Sequence, residues 1–428
     1  ILMAPPPFLS LPFTKAGRKT FCRHFYVQKF QLLRCMWNTC RGRTTLLLFL
    51  ATLVPLCYFS AKQLSSRRTD SHQESFHEPI PRKWTQINEL GGVRWSCLEN
   101  QHRGTDMTIA HSATTPRFAM WLPQMHVDPM ISASLHLTGA FDLHVLAAVV
   151  GVVKNACTLS APVEASPLVV DVGAHVGFFS LFMASQGCQT LALEPQTALV
   201  ASLKTSACLN GLSNRLTVKE AAITNDTRLN MYYDGMFVRD QRLVDTCEAA
   251  GGRSRCRRVA SSVGLDNIYP TDIILLAKID ASGMEEKVLR SMDSLLADQR
   301  VLNIVLNYHP QFLGQQASVS LLRKLDERGY SVFYLPFIQE GVSSARFAAP
   351  SLSEVRMWRV ASMTLPDAPF SIQVRRVPES SFGCFPDALR KGRIEKGRHF
   401  GDLYIVPKSQ EAGMLGGHAK HLQPAVNC

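Results

Sequence analysis

Asp171, Glu194, Lys278, Asp280 and His309 are the residues best placed to do chemistry, because each stands where a run of apolar residues ends. "LVVDVGAHVG" stops at Asp171 and turns through Gly173 and Gly177; "TLALEP" stops at Glu194, with Pro195 closing it. "DIILLAKIDASG" ends in Lys278 and Asp280, and "VLNIVLNYHP" in His309. A carboxylate at such an end can accept hydrogen bonds from ligand hydroxyls, and a carboxylate or imidazole can take the proton of a weak nucleophile near neutral pH. Glycine lets the backbone pass close to a ligand and adopt torsions closed to other residues.

The elements that carry these residues alternate. After residue 167, continuous apolar strands are separated by helical patterns over "FFSLFMAS", "TALVASLKTSACLNG", "EEKVLRSMDSLLADQ" and "VSLLRKLDERG". That alternation predicts a parallel sheet covered on both faces, with ligands bound at the carboxyl ends of the strands. Upstream, "TIAHSATTPRFAMWLP" reads as short strands and "HVLAAVVGVVKNA" as a helix. Glu194, one strand from Asp171, stands where a ribose diol would be gripped. Dinucleotide oxidoreductases and methyltransferases share that geometry, and the loop separates them. A pyrophosphate calls for GxGxxG at a helix start, whereas the spacing here is GxxxG, which suits a phosphate-free donor such as S-adenosylmethionine.

"VVDVGAHVGFFSLF", "LALEP", "CLNGL", "AAITND", "LDNI", "KIDASGMEEKVLRSM" and a late "GDLYIVP" occur in this order. Together they resemble the FkbM family of S-adenosylmethionine-dependent methyltransferases over roughly residues 128–335. The resemblance implies a class I methyltransferase (Rossmann-like) fold, α/β, with a seven-stranded, mostly parallel sheet and helices on both faces. It also implies O-methylation, often of sugar or polyketide hydroxyls. On that pattern Asp171, Gly173, Ala174 and Gly177 would line the methionine and ribose portion, Glu194 would hold the ribose hydroxyls, and Glu220 and Ala221 would flank the adenine. The chain departs from the family at Ser282, where a glutamate is usual, and at Asn307, where an acid usually precedes the His-Pro pair. Two carboxylates are therefore expected to be absent near the acceptor side.

In-line displacement at a sulfonium needs alignment and a base for the alcohol. Asp280 is the candidate base, the alternative being a strand-end or helix-capping carboxylate. His309 is the second candidate, the alternative being a residue packed in the turn before Pro310. Lys278, the third of the candidate catalytic group, more readily pairs with a nearby acid than acts itself, and Asp266 reads as a turn cap. No metal-binding pattern is present. A membrane-anchored O-methyltransferase acting on a glycan or other small hydroxylated acceptor is one reading; a catalytically silent lumenal binding or scaffold protein of the same fold is the other.

The net charge of +12 suggests nucleic acid until it is located along the chain. Of 46 basic residues, 11 precede Asp70, where no acidic residue occurs, leaving 35 basic against 34 acidic. A phosphate-backbone binder concentrates positive charge on its folded part, so no nucleic-acid partner is expected. The basic leader brackets residues 44–61, uncharged throughout and roughly 27 Å long as a helix, enough for a bilayer core. An uncleaved signal anchor facing a secretory lumen is expected, with a mitochondrial or plastid transit peptide as the alternative; Met36 is a candidate start. The expected organisation is a basic cytosolic segment 1–43, an anchor 44–61, a stem 62–107, a methyltransferase-like domain 108–408 and a disordered tail 409–428. Cys247 and Cys256 enclose a polar loop and are a candidate disulfide, Cys188 and Cys208 read as core packing, and "NDT" at Asn225 is a glycosylation sequon. The oligomeric state is not encoded in any readable motif.

Overall fold

A computed structural model describes residues 94–98, 107–154, 156–225, 232–234, 242–244, 256–258, 262–337, 372–395, 399–417 and 419–422. The chain divides into two units, Ile1–Trp84 and Thr85–Cys428. The first lies wholly outside the described residues, and with it segment 1–43, the anchor 44–61 and most of the stem. Among the described residues no single helix is long and apolar enough to cross a membrane.

The β-branched, apolar runs become strands. A hairpin of β1 (Met107–His111) and β2 (Ala119–Pro123) precedes α1 (Ile131–Thr138) and α2 (Leu143–Val153). Then β3 (Leu168–Val172), α3 (Phe178–Ser185), β4 (Gln189–Glu194), α4 (Thr197–Leu209) and β5 (Leu216–Glu220) follow. After three short antiparallel strands within residues 232–258 come β6 (Ile274–Ile279), α5 (Glu285–Arg290), β7 (Ile304–Tyr308), α6 (Gln315–Glu327) and β8 (Tyr330–Leu335). The chain closes with β9 (Ile372–Arg376), α7 (Phe385–Arg390), β10 (Gly401–Pro407) and β11 (Ala419–Leu422).

The main sheet has nine strands in the order β11-β9-β8-β10-β7-β6-β3-β4-β5, rather than the seven expected. The strands β3 to β7 run parallel, β10 is wedged antiparallel between β7 and β8, and β9 and β11 extend the edge beyond β8. Alternation along β3 explains the two layers. Leu168, Val170 and Val172 face one core with α5, α6 and α7, while Val169 faces the other with α2, α3 and α4. On α6, Ser318, Leu321, Leu322 and Leu325 repeat at helical spacing and are its buried stripe.

Four further expectations need correction. Much of the expected disordered tail is structured: residues 411–417 are helical, β11 pairs with β9, and Glu411 accepts from Ser331 and pairs with Arg376. Cys188 and Cys208 are not simple core packing, because they form disulfides with Cys157 and Cys97. Their surroundings are apolar, so local pattern gave no hint of a partner far away in sequence. The second bridge also corrects the stem boundary, since Trp95–Leu98 is fixed to the end of α4 by Cys97–Cys208 and by the Arg94 amide on the Leu209 carbonyl. Cys384 is disulfide-bonded as well; of the expected Cys247–Cys256 pair, Cys247 lies outside the described residues. The continuous helix expected over 285–299 breaks after α5, because Asp266 accepts the amides of Ser294 and Leu295 and so starts a new helix at Asp293.

The bridges close loops 111 and 31 residues apart, which chain entropy makes worth about 5 and about 4 kcal/mol. Replacing Cys157 and Cys188 together by alanine should therefore lower the free energy of urea unfolding by several kcal/mol; an unchanged midpoint would mean the bridge is not formed.

Candidate functional site

The parallel strands β3, β4, β6 and β7 all end at one cavity of about 250 Å³. Its floor is the loop after β3, where Gly173 and His175 are exposed to the cavity. Both glycines of the loop are needed for internal packing. Gly173 has φ 75° and a Cβ there would lie 1.9 Å from the Asp280 carbonyl; Gly177 has φ 84° and its Cβ would lie 1.9 Å from Leu203 Cδ1. The glycines thus bring the loop against β6 and α4, which is a different reason from close approach to a ligand.

Glu194 ends β4 on the cavity wall and is buried. Its Oε2 accepts the His175 amide at 2.8 Å and its Oε1 the Gln196 amide at 3.0 Å. Burial nevertheless pushes its carboxyl up to about 7, against those amides and with Asp171 adding to the rise. Ala221, Ala222 and Ile223 complete this end. Ala221 lines it as expected, whereas Glu220 is turned away and accepts the Thr197 hydroxyl at 2.7 Å.

Behind the floor is a buried charge cluster. Asp171 is fully buried and does not reach the cavity; its Oδ2 accepts the Ser180 hydroxyl at 2.6 Å, and Lys278 Nζ is 3.3 Å from Oδ1. The same ammonium is 3.8 Å from Asp280 Oδ2 and 5.1 Å from the centre of the Phe179 ring. Burial opposes charge on Lys278, but Asp171 and Asp280 outweigh it and hold its pKa above the ordinary value. Lys278 is thereby a structural cation rather than a proton carrier. Ala174 and Gly177 also lie off the wall, so of the residues expected to touch the donor, Gly173, Glu194 and Ala221 do line the cavity.

Asp280 reaches the wall, its side chain about one-third exposed. His309 follows β7, stacked between Phe312 (5.3 Å) and Phe400 (5.0 Å). Its Nδ1 is 3.5 Å from Oε1 of fully buried Glu285, an ionic contact too long for a good hydrogen bond. Burial lowers the His309 pKa, yet the Glu285, Asp280 and Asp402 charges win and raise it. The acids around the ring thus favour its protonated form.

The absence of carboxylates at Ser282 and Asn307, both on the wall, is offset by residues the sequence did not single out. Because β10 runs antiparallel to β7, its first residues lie beside the last of β7, and Asn307 pairs with Asp402. Asp402 lines the cavity, as does Asp142 at the corner before α2. His175 was likewise missed: both its ring nitrogens are buried without a partner, at φ 52°. Its pKa is lowered, chiefly by burial. A polar residue between two loop glycines was the available signal. Among the described residues no Lys or Arg lines the cavity, and no group of three or more His, Cys, Asp or Glu is placed to hold a metal.

Two stability tests follow from these charges. Lys278→Met would strand Asp171 in the core and should cost about 3–5 kcal/mol, with Asp171→Asn recovering part of the loss; a neutral single substitution would refute the pairing. Glu194 keeps its proton to higher pH when folded than when unfolded, so its contribution is complete below about pH 4.5 and disappears as pH rises through about 7. That difference is worth roughly 3 kcal/mol, so Glu194→Gln should flatten this part of the stability–pH curve, and an unchanged slope would contradict the assignment.

Residues 171–332 match the family model described as the Methyltransferase FkbM domain. No curated protein matches the chain. Among solved structures it is similar to precorrin-6y C5,15-methyltransferase from Geobacter metallireducens, at 13% identity over 47% of this chain and 78% of that one, TM-score 0.27. It is also similar to precorrin 8w decarboxylase from Methanobacterium thermoautotrophicum (11%, 61% and 88%, 0.28) and to a geranyl diphosphate methyltransferase in complex with SAM (12%, 74% and 96%, 0.27). Likenesses this slight say nothing of substrate. The match over residues 171–332 supports an FkbM-type methyltransferase domain in that part of the chain.

Proposed function

We propose that the protein is an S-adenosylmethionine-dependent O-methyltransferase acting on a hydroxyl of a glycan or other small hydroxylated acceptor. One observation carries this reading. The cavity wall holds Asp142, Glu194, Asp280 and Asp402 and, among the described residues, no Lys or Arg. Such a wall suits a cationic sulfonium and repels a pyrophosphate. The residues fit the donor: Glu194 faces the cavity where a ribose would lie, and His175 carries buried, unpartnered ring nitrogens on the same wall. When bound, the donor supplies an electrophilic methyl on positively charged sulfur. Glu194 would accept from the ribose hydroxyls, Ala221 and Ile223 would pack beside the base, and Asp280 would balance the sulfonium charge. Lys278 holds Asp171 and Asp280 in place from behind.

We place the domain in a secretory lumen, held by segment 44–61. Support comes from the bridges Cys97–Cys208 and Cys157–Cys188, since disulfides persist in oxidising compartments. The alternative, a catalytically silent binding protein, is favoured by Ser282, which puts a hydroxyl on the wall where the family usually has a carboxylate.

Calorimetry separates the two readings. Binding of S-adenosylmethionine is expected, and no detectable heat at any pH would reject the enzyme. Burial holds the Glu194 carboxyl at about 7, so binding through the carboxylate should release a proton. Affinity should weaken as pH falls below about 7, by at most about tenfold per pH unit, and Glu194→Gln should bind more weakly with no pH dependence.

A further inference from the structure

We infer that the β7/β10 end of the cavity is the acceptor subsite, that it takes a neutral hydroxylated ring, and that Asp402 accepts the hydroxyl proton, positioned by His144. This rests on the methyltransferase reading above. The donor end is fixed by Glu194 on β4. With four strand spacings of ~4.8 Å, β10 lies about 19 Å from β4, so donor and acceptor can lie side by side over β3, β6 and β7.

Asp402 is nearly fully buried as a residue, yet it lines the cavity. His144 Nε2 lies 2.6 Å from its Oδ2, and Asn307 Nδ2 donates to its Oδ1 at 3.0 Å. A carboxylate only accepts, so the His144 hydrogen sits on Nε2. His144 is itself buried, on a helix of the opposite layer, and has its ring edge-on to Phe337 at 5.0 Å. Two side-chain donors therefore hold Asp402 in one orientation. Asp280, by contrast, has the Lys278 ammonium 3.8 Å away, so its charge is already engaged. His309 faces the buried Glu285 carboxylate at 3.5 Å, which favours its protonated form. Asn307 fits the same scheme: an acid there would face Asp402 at hydrogen-bonding distance and compete for one proton, whereas the amide donates.

In the transfer the acceptor oxygen forms a bond to the methyl carbon as the carbon–sulfur bond breaks, its electron pair staying on sulfur. The hydroxyl proton passes to Asp402. An acceptor bearing phosphate or carboxylate would meet Asp142, Asp280 and Asp402 with no Lys or Arg on the wall among the described residues, so the ring is uncharged.

The test uses the full chain, methyl-labelled S-adenosylmethionine, and the methyl glycosides of glucose, mannose and galactose, with their 6-phosphates for comparison. Label should pass to at least one neutral glycoside and to none of the phosphates. Asp402→Asn should fold, because its amide can accept from His144 and donate to Asn307 Oδ1, which is buried without a partner. It should bind the donor within about twofold and lose transfer by about 100-fold or more, the range of a general base. His144→Leu should lower kcat with little change in KM, and His144→Gln, whose amide still donates, should restore part of it. Nitrogen-15 spectra should show the His144 hydrogen on Nε2; should His144→Leu fail to fold, that signature decides the positioning role. Wild-type turnover by Asp402→Asn, transfer to the phosphates instead, or no transfer from a wild type that binds the donor would each overturn the proposal. A wild type that does not bind the donor would overturn the methyltransferase reading itself.

Discussion

One buried ammonium sets the geometry of this site. Lys278 stands between Asp171 and Asp280, at the ends of adjacent strands β3 and β6, and all three are taken partly or wholly out of water. A lone buried charge at any of these positions would be strongly unfavourable, whereas the three together with Ser180 satisfy one another. The cluster ties the loop after β3 to the loop after β6, and glycine at 173 lets the two backbones close on each other. Those two loops form the floor of the cavity. The acid that the sequence offers first, Asp171, therefore serves as part of the frame, and Glu194 and Asp280 are what the frame presents.

Much of the sheet was legible in the sequence because strand ends carry their own mark: an apolar run that stops abruptly at an acid, a glycine or a proline. Asp171, Glu194, Asp280 and His309 all stand at such marks. What was not legible depends on pairing between distant segments. Asp402 comes beside Asn307 through the antiparallel register of β10 on β7, 95 positions away, and its own surroundings read as an ordinary strand. His144 lies inside an apolar helix and shows its partner only when that helix is packed on the sheet. The same holds for Cys188 and Cys208, whose local pattern is that of a core. The tail 409–428 reads as disordered, yet Glu411 has Arg376 and Ser331 waiting at the sheet edge.

Charge on the cavity wall links the fold to the chemistry. Parallel strands deliver their last residues to a common face, and the antiparallel β10 delivers its first residues to the same place. Acids from three of these strands or the turns after them, together with Asp142 before α2 and with no basic residue on the wall among those described, make a site that favours cations and hydroxyl donors. The departures from the family pattern at Ser282 and Asn307 are compatible with that character, because Asp402 supplies a carboxylate from the neighbouring strand.

The central claim is that this acidic cavity takes an adenosyl donor with its ribose on β4. A structure of the protein with S-adenosylmethionine bound tests it most directly. Ribose hydroxyls within hydrogen-bonding distance of the Glu194 carboxylate, with the sulfonium toward Asp280 and the Asp402 end left open, are the expected result. A donor bound elsewhere, or a cavity closed by the protein's own side chains, would contradict it.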